Sequence, residues 1–270
     1  RALAVAGTTF TVPFVEQAVG ADRSVWSRLD PFIELDGNRG RFRQPLFREV
    51  AYAGLPFRRR RHLHGTVADL LLESSKPEQE PVEALALHYG RAGDAERAYT
   101  YACAAGQQAE ERFAFLSAAR FYAEAADHAV RAGQTEETVG LRRKDQGNSL
   151  LQAGDLSGAD AALAAAARRL RDPAVRARLC LLRGEVNNRT GRFERALRWY
   201  RRGLEECRDD SRAEADLERF RLQLGAAVIC VEQGRWARAI ALAERTVPIA
   251  PDDDESGLAY AYLILHQAYI

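Results

Sequence analysis

A basic stretch near the start of the chain has the residue types needed to bind an anion. Residues 40–64 read GRFRQPLFREVAYAGLPFRRRRHLH and hold seven of the 37 arginines. Guanidinium groups bind phosphates and carboxylates through paired hydrogen bonds. The stretch could therefore face a nucleic acid, a nucleotide in a neighbouring domain, or only water. The secondary-structure elements around the stretch indicate which of these three the arginines face.

The rest of the chain lacks the residue patterns of an enzyme. It has no phosphate-binding loop, no GxSxG, no HExxH and no Walker motif. The four cysteines show no CxxC spacing, and His62 and His64 fall on different faces of a helix, which makes them poor joint metal ligands. We therefore expect no catalytic residue, no metal site and no cofactor in this chain.

Composition narrows the class of protein further. The formal net charge is +1, which argues against a dedicated nucleic-acid surface or a polybasic membrane surface. Hydrophobic residues make up 47%, yet no apolar run approaches the roughly 18–20 residues of a membrane helix. We expect a cytoplasmic location. The chain begins at Arg1 and contains no methionine, so we also expect it to be a piece of a longer protein.

Three segments in the second half align on small residues. Glycines come seven apart at 147 and 154 and again at 184 and 191, and Ala227 precedes Gly234 by the same distance. An alanine follows each turn glycine by five residues, and a Leu, Tyr or Ala follows four later. A unit that recurs every 20–50 residues indicates stacked helix pairs. The small residue in each first helix would let its partner helix approach closely.

This pattern resembles tetratricopeptide repeats. Ala98 after Gly93 fits an earlier copy, and Ala118, Tyr122 and Ala125 fit another with a degenerate first helix. Tyr262, Leu265 and Tyr269 resemble the first helix of a truncated sixth copy. The resemblance implies about five repeats over residues 77–270. It also implies a mainly all-α fold, a right-handed superhelix whose concave groove binds a protein or peptide.

The groove residues follow from the position of each first helix in the repeat. They are Lys144, Asn148, Arg178, Leu181, Glu185, Asn188, Arg221, Val228 and Glu232. Lys144 and Asn148 resemble the first part of the carboxylate clamp with which some tetratricopeptide domains hold a chaperone's C-terminus. The other clamp positions fall on Leu182, Arg221 and Gly225, which leaves three donors of five. A carboxylate needs several donors to offset its desolvation, so we expect another kind of groove contact.

The first 76 residues have a different order of elements. The segments TVPFVEQAVG and DRSVWSRLDPFIEL read as two short helices, with Asp22 or Ser24 as a cap for the second. DGNRG reads as a turn before the strand-like RFRQ, and a helix follows from Pro45 with Leu46, Val50 and Ala53 on one face. Helix, helix, hairpin and helix is the order of a winged-helix domain, which we expect at 1–76 together with a linking helix that starts at Phe57.

The segment RFRQPLFREVAYAGLPFRRRRHLHGTVADLL is similar to a junction in bacterial STAND-class signalling ATPases. These include cyclase-linked ATPases and large LuxR-type regulators. The matching positions are Phe42, Arg43, Arg48, Glu49, Ala51, Tyr52, Leu55, Leu63, His64, Val67 and Ala68. The resemblance implies an adjoining ATPase domain that binds ATP or ADP, with Arg43 and residue 44 facing the nucleotide. The family commonly has histidine where this chain has Gln44, and an amide cannot carry charge there.

These observations leave two functions open. The first is a non-enzymatic interaction and sensor module of a larger signal-transduction ATPase. The alternative is the effector-sensing region of a transcription regulator whose DNA-binding domain lies elsewhere. For the four consecutive arginines we favour a solvated or salt-bridged helix start. Contacts to the ATPase rank second, and nucleic acid ranks last because the second predicted helix, DRSVWSRLDPFIEL, which would enter the DNA groove, carries three acids against two arginines.

Overall fold

The computed structural model describes residues 1–20, 23–76, 79–250 and 255–268. Asp22 and Tyr269, which the cap and repeat predictions used, lie outside the described residues. The chain divides into two compact units. Unit 1 comprises residues 1–107 and 131–133, and unit 2 comprises residues 108–130 and 134–270.

Unit 1 begins with a small sheet, and two short helices lie between its first two strands along the chain. The strands β1 (Thr9–Thr11), β2 (Ile33–Asp36) and β3 (Arg39–Phe42) pair antiparallel in the order β1–β3–β2. The helices α1 (Val12–Val19) and α2 (Trp26–Leu29) lie between β1 and β2 along the chain. Pro13 in the first turn of α1 loses no hydrogen bond, because the first N–H groups of a helix have no partner within it.

The second predicted helix is only partly right. The segment forms a 3-10 turn (Arg23–Val25) and the single turn of α2, and its last residues are strand β2. Pro31 explains the early stop, because it cannot donate a helix hydrogen bond and it disfavours helical geometry in the preceding residue. Ser24 does not cap α2, since the N-cap is Val25 and no side chain caps it. Strand β3 begins at Arg39, earlier than the predicted RFRQ.

Three helices complete the chain path through most of unit 1. They are α3 (Pro45–Ala53), α4 (Phe57–Ser74) and α5 (Val82–Ala92). The predicted starts at Pro45 and Phe57 are confirmed. The predicted apolar face of α3 does not enter the core, however, because Leu46 is 59% exposed and Val50 is 64% exposed.

The core of unit 1 is built from three adjoining clusters. Phe10, Val15, Trp26 and Ile33 pack between the sheet and α1, and the indole N–H of Trp26 donates to Glu16 at 2.8 Å. A second cluster joins the first residues, α1 and α4, and a third joins α4 to α5 and α6 (Ala95–Glu111). Helix α4 is therefore packed on both sides, and its first two turns hold the end of the basic stretch, residues 57–64.

Unit 2 consists of antiparallel helix pairs. Its helices are α7 (Phe115–Arg131), α8 (Glu136–Ala153), α9 (Leu156–Ala167), α10 (Pro173–Arg189), α11 (Phe193–Glu206), α12 (Ala213–Glu232), α13 (Trp236–Thr246) and α14 (Glu255–Ala268). The pairs α8–α9, α10–α11 and α12–α13 match the three aligned segments, and each pair contacts the next. Helix α14 stands where the first helix of a sixth copy was predicted.

The small residues in the first helices do allow close approach, as the spacing predicted. A Cβ on Gly147 would lie 2.6 Å from Cγ of Leu163, and a Cβ on Gly184 would lie 2.8 Å from Cζ of Tyr200. Both distances are shorter than ordinary van der Waals contact. The following alanines, 159, 196 and 239, are fully buried in the seams between paired helices.

The copy with a degenerate first helix has an unusual turn. Gly106 and Phe113 are seven residues apart, as are the glycines of the later copies, so Phe113 stands at the turn-glycine position. Its φ is 57°, a left-handed conformation that a side chain with Cβ disfavours. The degenerate first helix is thus the C-terminal part of α6, which sequence spacing had not identified.

The predicted domain boundary at residue 76 remains a prediction. The two compact units instead divide within α6. The reason is that Ala68 of α4 packs in one cluster with Leu85 and Tyr89 of α5 and Ala98 of α6.

Within the described residues, none of the helices combines the length and apolar character needed to cross a bilayer.

Candidate functional site

Charged side chains from three first helices of unit 2 act on one another. Lys144 belongs to α8, Arg178 to α10 and Arg221 to α12, and the carboxylate of Glu218 from α12 attracts all three. Arg178 Nη1 lies 4.0 Å from Glu218 Oε2, and Arg221 Nη1 lies 3.6 Å from Glu218 Oε1. We call Lys144, Arg178, Glu185, Glu218 and Arg221 the groove cluster.

The carboxylate of Glu218 is buried but only partly hydrogen-bonded. Glu218 is 7% exposed, and its Oε2 has no hydrogen-bond partner within the described residues. Burial raises the pKa of this carboxyl, and the charges of Arg178, Arg221 and Lys144 oppose that rise. A hydrogen bond from Arg221 also lowers the pKa of Glu218, so it is Oε2 that keeps part of its desolvation cost. The cluster therefore has unused capacity for hydrogen bonding.

Glu185 is the second acid of the groove cluster. Burial raises the pKa of its carboxyl, while Arg178, Arg189 and Arg221 oppose the rise. Glu185 and Glu232 in turn help burial to raise the pKa of Tyr200. One arrangement thus contains cations and anions from α8, α10 and α12, which suits a ligand with both donors and acceptors.

The remaining predicted groove residues have different surroundings. Asn148 and Val228 are half-buried, and Glu232 is exposed. Asn188 is half-buried, and its Oδ1 is enclosed without a hydrogen-bond partner within the described residues. The prediction that Leu181 lines the groove is wrong. Leu181 is 4% exposed and packs with Ala196 and Tyr200 in the core, so it cannot contact a ligand.

Unit 1 contains a buried hydrogen-bond network that ties three helices together. Tyr52 of α3 bonds through its hydroxyl to Nε2 of His64 in α4 at 2.9 Å. His64 Nδ1 lies 3.0 Å from Nδ1 of His88 in α5, so one of these nitrogens donates and the other accepts. The guanidinium carbons of Arg48, Arg60 and Arg91 lie 5.4–5.9 Å from the centroid of the Tyr52 ring.

Both histidines of this network are held neutral. Burial lowers the pKa of His64 to about 3, with further contributions from His88 and the surrounding arginines. Burial, followed by the charge of Arg91, lowers the pKa of His88 to about 4. A neutral pair ringed by guanidinium groups neither attracts a metal cation nor exchanges protons near neutral pH. The network is structural, and Tyr52 and His64 are two positions of the junction pattern.

The arginines of the basic stretch are mostly bonded within the chain. Arg41 forms an ion pair with Glu34 at 2.7 Å, and Arg61 donates to the backbone oxygen of Ala92 at 2.8 Å. Arg48 donates to the backbone oxygen of residue 4 at 3.2 Å. Arg58 and Arg59 differ, because both are exposed and neither has an ion pair or side-chain hydrogen bond within the described residues.

The two residues predicted to face a nucleotide lie at the end of the hairpin. Arg43 donates from Nε to the backbone oxygen of Asp30 at 2.8 Å, and its Nη2 lies 3.6 Å from the Asp30 carboxylate. Its side chain keeps 44% of its surface exposed. Gln44 is exposed at the N-cap of α3, and its side chain makes no cap hydrogen bond there.

Sequence reasoning missed the partner of His64. His88 lies 24 residues further along the chain, and nothing in its spacing links it to the junction pattern. His88 is 7% exposed, so it is packed in the interior of unit 1. Among the described residues, no group of three or more His, Cys, Asp and Glu side chains is arranged to hold a metal ion.

Comparison with known proteins identifies the helix pairs. Residues 144–211 and 212–254 match the family model described as tetratricopeptide repeat. This part of the chain is similar in sequence to tetratricopeptide repeats. The match covers α9 to α13 in full and begins at Lys144 of α8. The groove cluster therefore lies within the repeats.

A solved structure is similar over most of this chain. It is the crystal structure of a Signal Transduction ATPase with Numerous Domains (STAND) protein with a tetratricopeptide repeat sensor, from Pyrococcus horikoshii. The TM-score is 0.47 and the sequence identity is 12%, with 99% of this chain and 40% of that chain covered. This chain thus spans less than half the length of the solved one. None of the curated proteins matches the sequence.

Proposed function

We propose that this chain is a non-enzymatic interaction and sensor module that binds a protein or peptide through the groove of its tetratricopeptide repeats. The observation that carries the proposal is the groove cluster. Its members come from three successive first helices, and Glu218 and Asn188 each keep a buried oxygen without a hydrogen-bond partner within the described residues. Lys144, Arg178 and Arg221 keep 23–34% of their side-chain surface exposed, so acidic side chains of a peptide would reach them.

The N-terminal unit is proposed to be a winged-helix domain. Supporting this, α1 and α2 come between β1 and a β2–β3 hairpin, and the sheet has the order β1–β3–β2. Helix α3 follows the hairpin, as the winged-helix order requires. In this interpretation the hairpin is the wing, and Arg43 and Gln44 stand at its exit.

We further propose that unit 1 adjoins the ATPase domain of a larger signalling protein. Phe32, Leu46 and Val50 are 46–64% exposed, and the last two form the apolar face of α3. Exposed apolar side chains grouped in this way are typical of a surface that another domain covers. Arg58 and Arg59 stand in the first turn of α4, where no acidic residue offsets the positive end of the helix dipole. An acidic surface on the adjoining domain would offset it.

The groove proposal is tested by selecting ligands without bias. Peptides that bind the 270-residue chain are selected from a random displayed library, and their affinities are measured by calorimetry. We expect Lys144→Ala, Asn188→Ala and Arg221→Ala each to weaken selected peptides by about tenfold, since each removes charge-assisted or buried hydrogen bonds. Arg112→Ala is the matched control, because Arg112 is exposed and lies outside the groove helices.

Selected peptides that bind all three groove variants as tightly as the unaltered chain would contradict the groove proposal.

The proposal on the adjoining domain has its own test. Affinity for ADP and ATP is measured for this chain alone and for a longer chain that includes the adjoining domain. We expect no binding alone, and weaker ADP binding in the longer chain after Arg43→Ala or Gln44→Ala. Unchanged ADP affinity in both variants would remove these residues from nucleotide sensing.

A further inference from the structure

The exposed face of α11 carries a stripe of arginines around a tryptophan. Arg195, Arg198, Trp199 and Arg202 recur at helical spacing, so they share one face over about 10 Å of helix. We call these four residues the α11 stripe. They line a depression of about 330 Å³. None of the residues predicted to line the groove belongs to α11, which is the second helix of its repeat.

The positive charge of the α11 stripe is only partly balanced by the chain. Arg195 and Arg198 are exposed and make no ion pair or side-chain hydrogen bond within the described part of the chain. Arg202 lies 3.5 Å from Glu206, but Arg176 already binds both oxygens of that carboxylate at 2.6 Å. Glu206 is therefore shared with Arg176, in a chain whose overall net charge is only +1.

Trp199 holds two guanidinium groups in place. The guanidinium carbon of Arg183, from α10, lies 4.1 Å from the indole centroid, and that of Arg202 lies 5.4 Å from it. Arg183 is also fixed by an ion pair with Asp160 at 3.0 Å. Stacking of this kind restrains a guanidinium while its N–H edge stays free to bind an anion. The half-buried indole adds an apolar contact at the centre of the stripe.

We propose that the α11 stripe is a docking surface for an acidic peptide segment of a partner protein. Carboxylates of the segment pair with Arg195, Arg198 and Arg202, and an apolar side chain rests on Trp199. Charge complementarity carries this assignment, together with spacing. Carboxylates three or four positions apart on a helical peptide recur at the same intervals as these arginines. A single-stranded nucleic acid would need a longer basic track with several aromatic platforms, whereas the stripe has one.

The test measures fluorescence anisotropy of a labelled helical peptide with glutamate at every third or fourth position. The same peptide with glutamine at those positions is the ligand control. We expect the glutamate peptide to bind and the glutamine peptide not to bind. Binding of the glutamate peptide should weaken as salt rises from about 50 to 200 mM. Arg195→Glu with Arg198→Glu should weaken binding by about tenfold or more, because repulsion replaces two ion pairs. Arg195→Gln with Arg198→Gln should weaken it less.

The matched protein control is Arg112→Glu with Arg131→Glu. It makes the same change of net charge at two exposed arginines outside α11 and should leave the affinity unchanged. Three results would overturn the proposal: no binding, equal loss in the matched control, or loss in Lys144→Ala but not in the α11 double variant. Preferential binding of a single-stranded oligonucleotide over the glutamate peptide would overturn it as well. Failure here leaves the groove proposal intact, because the selected groove peptides are tested separately.

Discussion

Replacing one helical glycine by alanine should destabilise the repeats, although the same change usually stabilises a helix. At an unconstrained helical site, glycine to alanine contributes about 0.5–1 kcal/mol of stability. Gly184, in the middle of α10, is constrained by Tyr200. An added Cβ would lie 2.5 Å from Cδ1 and 2.8 Å from Cζ of that ring, and closer still to Cε1.

The ring has no room to retreat. Tyr200 is 2% exposed, and on its far side a Cβ built on Gly225 of α12 would already lie 3.0 Å from the ring. Relief would require α10 and α11 to separate by about 1 Å, and overpacking of this kind typically costs about 1–3 kcal/mol. Once the gain in helix propensity is subtracted from the middle of that range, Gly184→Ala should lower the free energy of unfolding by about 1 kcal/mol.

The assay is equilibrium unfolding in urea, followed by circular dichroism at the helical band. The expected loss lowers the urea midpoint by about 0.4 M, for a slope of roughly 2–3 kcal/mol per molar. Gly65→Ala is the matched control, since Gly65 lies inside α4 and the nearest atom to its added Cβ is 3.8 Å away. That variant should be as stable as the unaltered chain or more so. If both variants shift the midpoint upward, the close approach of α10 and α11 does not exist.

Three further predictions use the same assay. Phe113→Gly should raise stability by about 1 kcal/mol, because glycine tolerates the left-handed φ of 57° that costs phenylalanine roughly that amount; a lower midpoint would contradict this. His64 and His88 have lowered pKa values, so the unfolded chain binds more protons: stability should be constant above about pH 6.5 and fall as the pH drops toward about 4. Replacing His88 with glutamine should flatten that slope, and an unchanged slope would place the titration elsewhere. Asp155→Ala removes the cap that accepts from the backbone N–H of Gly158 at 2.9 Å and should cost about 1 kcal/mol; a change within error would show that the cap is dispensable.

The repeats could be predicted from sequence because their packing is recorded in local spacing. Gly184 and Gly191 are seven residues apart, Ala196 follows by five and Tyr200 by four more, and all four positions have the geometry that this spacing implies. Leu181 shows the limit of the method. The groove side and the core side of a first helix differ by one or two residues, and only the packing of α10 on α11 places Leu181 in the core.

Contacts between distant segments could not be predicted. The apolar residues of α3 were visible as a helical face, but the pattern does not say what covers that face, and Leu46 and Val50 are exposed in this chain. The two members of the His64–His88 pair lie on different helices and are 24 residues apart, so no local period records their contact. The basic stretch is similar: Arg61 bonds to the end of α5, an interaction that depends on how α4 and α5 pack.

The most direct test of the repeat groove is to locate a bound peptide. A peptide selected on the 270-residue chain is synthesised with a photoreactive benzophenone at successive positions, irradiated in the complex, and its cross-links are mapped by mass spectrometry. The proposed function predicts cross-links on α8, α10 and α12, close to Asn148, Asn188 and Val228. Cross-links confined to the second helices α9, α11 and α13, or to unit 1, would contradict it.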